Sequence, residues 1–180
     1  MKIYLILSVL IINIIIIPAV RMVHVFVYGS LKKGQPNHPE LLNSDNGQAE
    51  FITCARTVDK YPLVIAGKYN IPFLLNVPGS GHRVYGEIYM VDQKMLEYLD
   101  WFEKCPDLYQ RTSIQLEILK ENEESGGVEE AFVYSTTTYE PDWLQKPTYE
   151  SYDTNGDHGL KFVPREERKG DLLVDLGLYH

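Results

Sequence analysis

At 180 residues, with 44% hydrophobic and 23% charged residues, the chain has the make-up of one soluble globular domain. Its net charge of −8 argues against a nucleic-acid partner, which needs a surplus of Lys and Arg on some face. Two cysteines, Cys54 and Cys105, exclude a disulfide scaffold and a four-cysteine zinc site, so two reduced thiols in a cytosolic protein are the default.

Residues 1–21 stand apart. Ile3 to Ile17 is apolar except for Ser8, Asn13 and the half-polar Tyr4, and it runs between Lys2 and Pro18-Ala19-Val20-Arg21. That pattern fits a secretory signal cut near Ala19. As a membrane span it is short of the roughly 20 apolar residues needed. An upstream extension of the reading frame fits equally well, because Met22 directly precedes the first strand. The expected compartment is the cytosol, with the secretory pathway as the alternative if residues 1–21 act as a signal. Membrane contact is expected only if they are a retained anchor. The folded domain is expected over 22–168, with 169–180 as a frayed tail.

The first strand is Val25-Phe26-Val27-Tyr28, which breaks at Gly29 into Ser30-Leu31-Lys32-Lys33-Gly34. A strand that empties into a glycine-bearing loop exposes backbone N–H groups and makes a candidate anion receptor, although most such turns are ordinary surface loops. Lys32 and Lys33 lack the glycine pattern of a phosphate loop and are expected in solvent. A helical turn or two is expected within Pro36 to Leu42, a strand over 48–59, and a short apolar run from Tyr61 to Gly67. Pro72 makes Ile71 to Val77 a bent or edge strand, and Pro78-Gly79-Ser80-Gly81 is a turn. Val84 to Val91 alternates aliphatic residues with tyrosines, as in a strand buried on both faces of a barrel. Asp92 is a good N-cap for a helix over Gln93–Lys104. A strand follows over Tyr109–Leu119, then a mobile acidic loop over Lys120–Glu130 and a strand over Ala131–Tyr139. Pro141 to Leu144 suits a short helix, and Lys146 to Glu167 is irregular. Thirteen tyrosines suit a β-rich interior. The expected class is α+β: a small mixed β-barrel with one main helix and short flanking helices.

That helix carries one carboxylate on the wrong face. Steps of about 100° centre an apolar arc on Leu99, with Met95, Leu96, Tyr98 and Phe102 around it. Glu103 falls inside the arc, whereas Glu97, Asp100 and Lys104 fall on the solvent side. Burial and the negative end of the helix dipole both raise the pKa of Glu103 toward that of a general base. The competing reading is a half-exposed helix end paired with Arg111 or Lys104, since structural ion pairs outnumber catalytic bases. His24, His38, His82, His158 and His180 show no metal-ligand spacing, and Ser30 lacks a nucleophile elbow. Cys105 has no evident base beside it and is expected to be inert.

Tyr28-Gly29-Ser30-Leu31-Lys32-Lys33-Gly34-Gln35-Pro36-Asn37-His38, Tyr61 to Gly67, Val77 to Gly81, Phe102-Glu103 with Cys105-Pro106, and Tyr109 to Thr112 together resemble the γ-glutamylamine cyclotransferases, small barrels of the γ-glutamylcyclotransferase-like superfamily. The resemblance runs from about Met22 to Arg168, including Ser151-Tyr152-Asp153 and His158-Gly159-Leu160. It implies release of a free amine, such as lysine from ε-(γ-glutamyl)-lysine, with the γ-glutamyl part leaving as 5-oxoproline. It assigns glutamyl binding to Tyr28, Gly29, Ser30 and Leu31, with Ser30 where threonine is commoner, and the catalytic carboxylate to Glu103. A small-molecule substrate, no cofactor or metal, and a monomer are expected. The alternatives are a cyclotransferase for other γ-glutamyl amino acids or peptides, and a barrel that binds a small carboxylate without turning it over.

Overall fold

The structure, a computed structural model, describes residues 21–120 and 125–178. The apolar N-terminal segment, and with it the choice between signal and extension, lies outside the described residues.

Strands β1 (Val23–Val27), β2 (Ala49–Thr57), β5 (Tyr85–Val91), β6 (Gln110–Leu119) and β7 (Ser125–Ser135) close into a barrel in the order β1-β5-β2-β6-β7. All its pairings are antiparallel except β1 with β7, where Val25 faces Phe132 and Phe26 faces Val133 in parallel register. Closure leaves no open sheet edge in the barrel. A separate antiparallel pair, β3 (Leu63–Ala66) and β4 (Ile71–Leu74), carries Pro72 opposite Ile65. Helix α1 (His38–Leu42) follows the first loop, α2 (Gln93–Phe102) follows β5, and α3 (Leu172–Asp175) lies near the C-terminus. This is the expected α+β mixed barrel.

The period of two along β1 divides the core. Phe26 points into one cluster with Ile88, Leu116 and Val133, while Val25 and Val27 point into another with Met95, Leu99 and Phe102 of α2. On β5, Ile88 joins the first cluster, and Tyr89 and Val91 join the second. Both faces of that strand are therefore used, as the alternation predicts. Burying a side chain such as Leu99, which has no exposed surface, contributes about 2 kcal/mol. Among the described residues, no helix is long and apolar enough to cross a membrane.

Four sequence expectations need correction. The acidic stretch from Ser125 is not a loop but the outer part of β7, with Glu129 opposite Leu116 and Glu130 opposite Gln115. Its residues 126–130 are exposed, so the ladder with β6 rather than burial forms it. Lys32 is not solvated: it is buried, and its ammonium donates to Ser151 Oγ at 2.8 Å. Asp100 does not face open solvent but accepts from Tyr134 Oη at 2.7 Å and pairs with Arg111 at 2.8 Å. The C-terminal stretch does not fray over its described residues. Leu176 is buried in the core, Asp175 pairs with Lys68 at 2.7 Å, and Tyr69 Oη donates to both Asp175 and the Lys169 carbonyl.

Candidate active site

Two elements meet to form the site. The first is the loop after β1, anchored where Tyr28 ends the strand. The Tyr28 hydroxyl donates to the Tyr134 carbonyl at 2.8 Å and accepts from the Leu74 N–H at 3.2 Å. It thus ties β1, β4 and β7 together. Burial, followed by the nearby Glu103 charge, pushes the phenol pKa far up, so Tyr28 stays a donor at neutral pH. Lys32 N–H closes a turn onto the Gly29 carbonyl at 3.2 Å, and Asn37 holds Ser30 from two sides. Its amide donates to Ser30 Oγ, and its backbone N–H to the Ser30 carbonyl, both at 2.8 Å. Among the described residues, none accepts a hydrogen bond from the backbone N–H of Gly29, Ser30 or Leu31. A Cβ on Gly29 would lie 3.0 Å from Pro72 Cγ, so a larger residue here would press on the pocket wall. The Leu31 side chain is buried in the core.

The second element is the end of α2. Asp92 caps its start, Oδ1 accepting from the Met95 N–H at 2.8 Å, and Met95, Leu96, Leu99 and Phe102 bury its inner face. The helix stops at Phe102 rather than Lys104, because Lys104 turns left-handed at φ 51°. Its N–H bonds the Trp101 carbonyl at 3.1 Å, and the Cys105 N–H bonds the Asp100 carbonyl at 2.9 Å, which is a Schellman ending. Glu103 is the residue at that cap.

Glu103 and residues 28–31 line one pocket of about 610 Å³ empty space, its open mouth included. Glu103 is half-buried, and burial lifts its carboxyl from 4.5 to about 7, with the Arg165 and Arg168 charges pulling the other way. Its charge is felt by Tyr28, Tyr109 and Tyr134, all of which line the same pocket. Neither expected ion pair forms: Arg111 is held by Asp100, and Lys104 makes no contact with Glu103 within ion-pair distance.

Sequence reasoning missed Asn37 as a support of Ser30, the tyrosine wall, and Arg165 with Arg168. Asn37 sat in plain view within the loop run, whereas the arginines lie in an irregular stretch with no periodicity to mark them. No group of three or more His, Cys, Asp or Glu side chains among the described residues is arranged to hold a metal.

The family model described as "Gamma-glutamyl cyclotransferase, AIG2-like" matches residues 25–154. The chain belongs to this cyclotransferase family. It is 81% identical over 148 residues to gamma-glutamylaminecyclotransferase C of Danio rerio, covering 82% of this chain and 97% of that protein. It is 50% identical over 155 residues to the human gamma-glutamylaminecyclotransferase, covering 82% of this chain and all of that one. The crystal structure of an AIG2-like protein from Mus musculus superposes with a TM-score of 0.77 at 53% identity, covering 82% of this chain and 99% of the other. The cyclotransferase family match contains both the loop and Glu103, while Arg165 and Arg168 lie beyond its last residue.

Proposed function

We propose that this chain is a γ-glutamylamine cyclotransferase, releasing lysine from ε-(γ-glutamyl)-lysine together with 5-oxoproline, and so acts in degrading transglutaminase-type isopeptide crosslinks. The observation that carries the reading is a carboxyl of pKa about 7 in the same pocket as a loop whose N–H groups face no protein acceptor. The loop Tyr28, Gly29, Ser30 and Leu31 grips the γ-glutamyl group. The ionised Glu103 accepts a proton from the substrate's α-ammonium, and a carboxyl raised to about 7 narrows the gap to that group far more than an ordinary carboxylate would. The freed amine attacks the γ-carbonyl of its own chain, a bond forms between that nitrogen and carbon, and the bond to the leaving amine breaks. Glu103 returns the proton to the departing nitrogen, and the ring nitrogen, which still carries two protons after the attack, gives up the second to the released amine, so the products are a neutral lactam and an ammonium ion. Holding the chain folded supplies much of the rate, because ring closure otherwise costs conformational freedom. In this reading the loop N–H groups receive negative charge, on the γ-carbonyl oxygen or the α-carboxylate.

The test is product formation. The enzyme should release 5-oxoproline and free lysine from ε-(γ-glutamyl)-lysine, and far less from γ-glutamyl α-peptides. The reverse preference would move the chain to a different γ-glutamyl substrate. Tight binding of either compound without product would make it a non-catalytic barrel.

A further inference from the structure

The pocket holds two guanidinium groups that the reaction above does not use. Arg165 lies flat on Phe102, its Cζ 3.7 Å from the ring centre, and donates to the Phe102 carbonyl at 2.7 Å. Its Nε is buried with no hydrogen-bond partner. Arg168 donates from Nε to the Val163 carbonyl at 2.9 Å, with its Cζ 4.9 Å from the centre of the Phe162 ring. Among the described residues, neither makes an ion pair with a carboxylate. Burial, then the Arg165 charge, lowers the pKa of Arg168, so the two cations sit close enough to repel. Two half-buried like charges that feel Glu103 across the pocket but are salt-bridged to no carboxylate among the described residues form a receptor for an anion brought from outside.

The setting says which anion. The pocket lining beside these cations includes the apolar Phe102, Phe162 and Leu172, with Arg165 over the Phe102 ring and Arg168 over the Phe162 ring. The segment that bears them is fixed downstream by Asp175 on Lys68 and Tyr69, and by Leu176 in the core. Guanidiniums seated on apolar rings match a leaving group that joins an aliphatic stem to a carboxylate. Lysine released from its ε-nitrogen has that form, four carbons and then the α-carbon.

We propose that Arg165 and Arg168 are specificity-determining residues that bind the carboxylate of an amino-acid leaving group, while the loop after β1 holds the glutamyl end. This assignment rests on the cyclotransferase reading above. The experiment compares ε-(γ-glutamyl)-lysine with γ-glutamylcadaverine, which differs only by lacking that carboxylate. In the wild-type enzyme, kcat/KM should favour the isopeptide by roughly 10–100-fold, the worth of a charge-assisted contact. Arg168→Gln and Arg165→Gln should each remove most of that preference by raising KM for the isopeptide more than for γ-glutamylcadaverine, while both substrates share whatever change the lost charge makes at Glu103. Arg168→Lys should restore part of it. Measuring both substrates at one pH cancels any effect of the lost charge on Glu103. Equal losses on the two substrates, or no preference in the wild-type enzyme, would overturn the assignment while leaving the cyclotransferase reading intact. Release of 5-oxoproline from neither substrate by the wild-type enzyme would overturn both. The wild-type comparison depends on no variant folding.

Discussion

Glu103→Gln is expected to lower kcat for 5-oxoproline release by about 10²–10⁴-fold, the usual contribution of a general base, with little change in substrate affinity. Gln keeps the shape of the side chain but cannot accept the proton of the α-ammonium. Glu103 makes no side-chain hydrogen bond within the described protein, so the amide breaks no structural contact. The same variant should be more stable than the wild type at alkaline pH. In the folded state the carboxyl titrates at about 7, against 4.5 for an unperturbed glutamate. Below pH 4.5 both states are protonated and nothing is lost. As the pH rises from 4.5 to about 7 the unfolded chain ionises first, and stability falls. Above that window the loss is complete, about 1–3 kcal/mol once solvent at the pocket mouth is allowed for. Gln escapes it. Thermal melts at alkaline and acid pH should therefore show a gain in Tm that disappears toward pH 4.5. Undiminished turnover would remove Glu103 from the mechanism, and a fall in Tm would recast it as a structural residue.

The second large effect is on stability. Gly47 has φ +132°, and a Cβ there would overlap the backbone N of Met95 and lie 2.6 Å from Asp92 Oδ1. That carboxylate oxygen accepts from Met95 N–H at 2.8 Å and from Gln48 N–H at 3.1 Å, so it joins the start of α2 to the start of β2. Gly47→Ala therefore combines backbone strain, a steric overlap that cannot be relieved by a flexible side chain, and loss of a helix cap. Together these should cost about 3 kcal/mol or more, a fall in Tm of roughly 10 °C. Gly79→Ala is the control: its φ is +93°, but nothing lies within 4 Å of the added atom. It should lose only the conformational part, about 1–2 kcal/mol. Equal losses for the two variants would show that the close approach at Gly47 is relaxed at little cost. The molecules that stay folded should keep the kcat of the wild type, because the end of α2 that carries Glu103 is far along the helix from its cap.

What the sequence revealed follows from where the signals are local. Val25 to Tyr28 declared a strand by its β-branched residues and Gly29 declared its end. Asp92 and the apolar spacing from Met95 to Phe102 declared the helix and put Glu103 on its inner side. Signals that depend on a distant partner were invisible. The stretch from Ser125 to Glu130 has glycines and acids, residues 126–130 are exposed, and it becomes a strand only because β6 offers a ladder. The four residues of α3 are too few to show a period, and their docking is decided by Lys68 and Tyr69, about 100 residues earlier. Asp100 points outward from its helix as the wheel requires, but Tyr134 and Arg111 are waiting there. The arginines of the pocket had the same handicap. Nothing next to them in the chain distinguishes them from other surface cations, and only the fold sets them beside Glu103.

The central claim is that burial in this pocket makes one carboxylate a base near neutral pH. Carbon-13 NMR of the Glu103 side-chain carboxyl, assigned by its absence in Glu103→Gln and followed across a pH titration, tests that directly. The account predicts an inflection at about 7, matching the acid limb of kcat/KM; an inflection near 4.5 would contradict it.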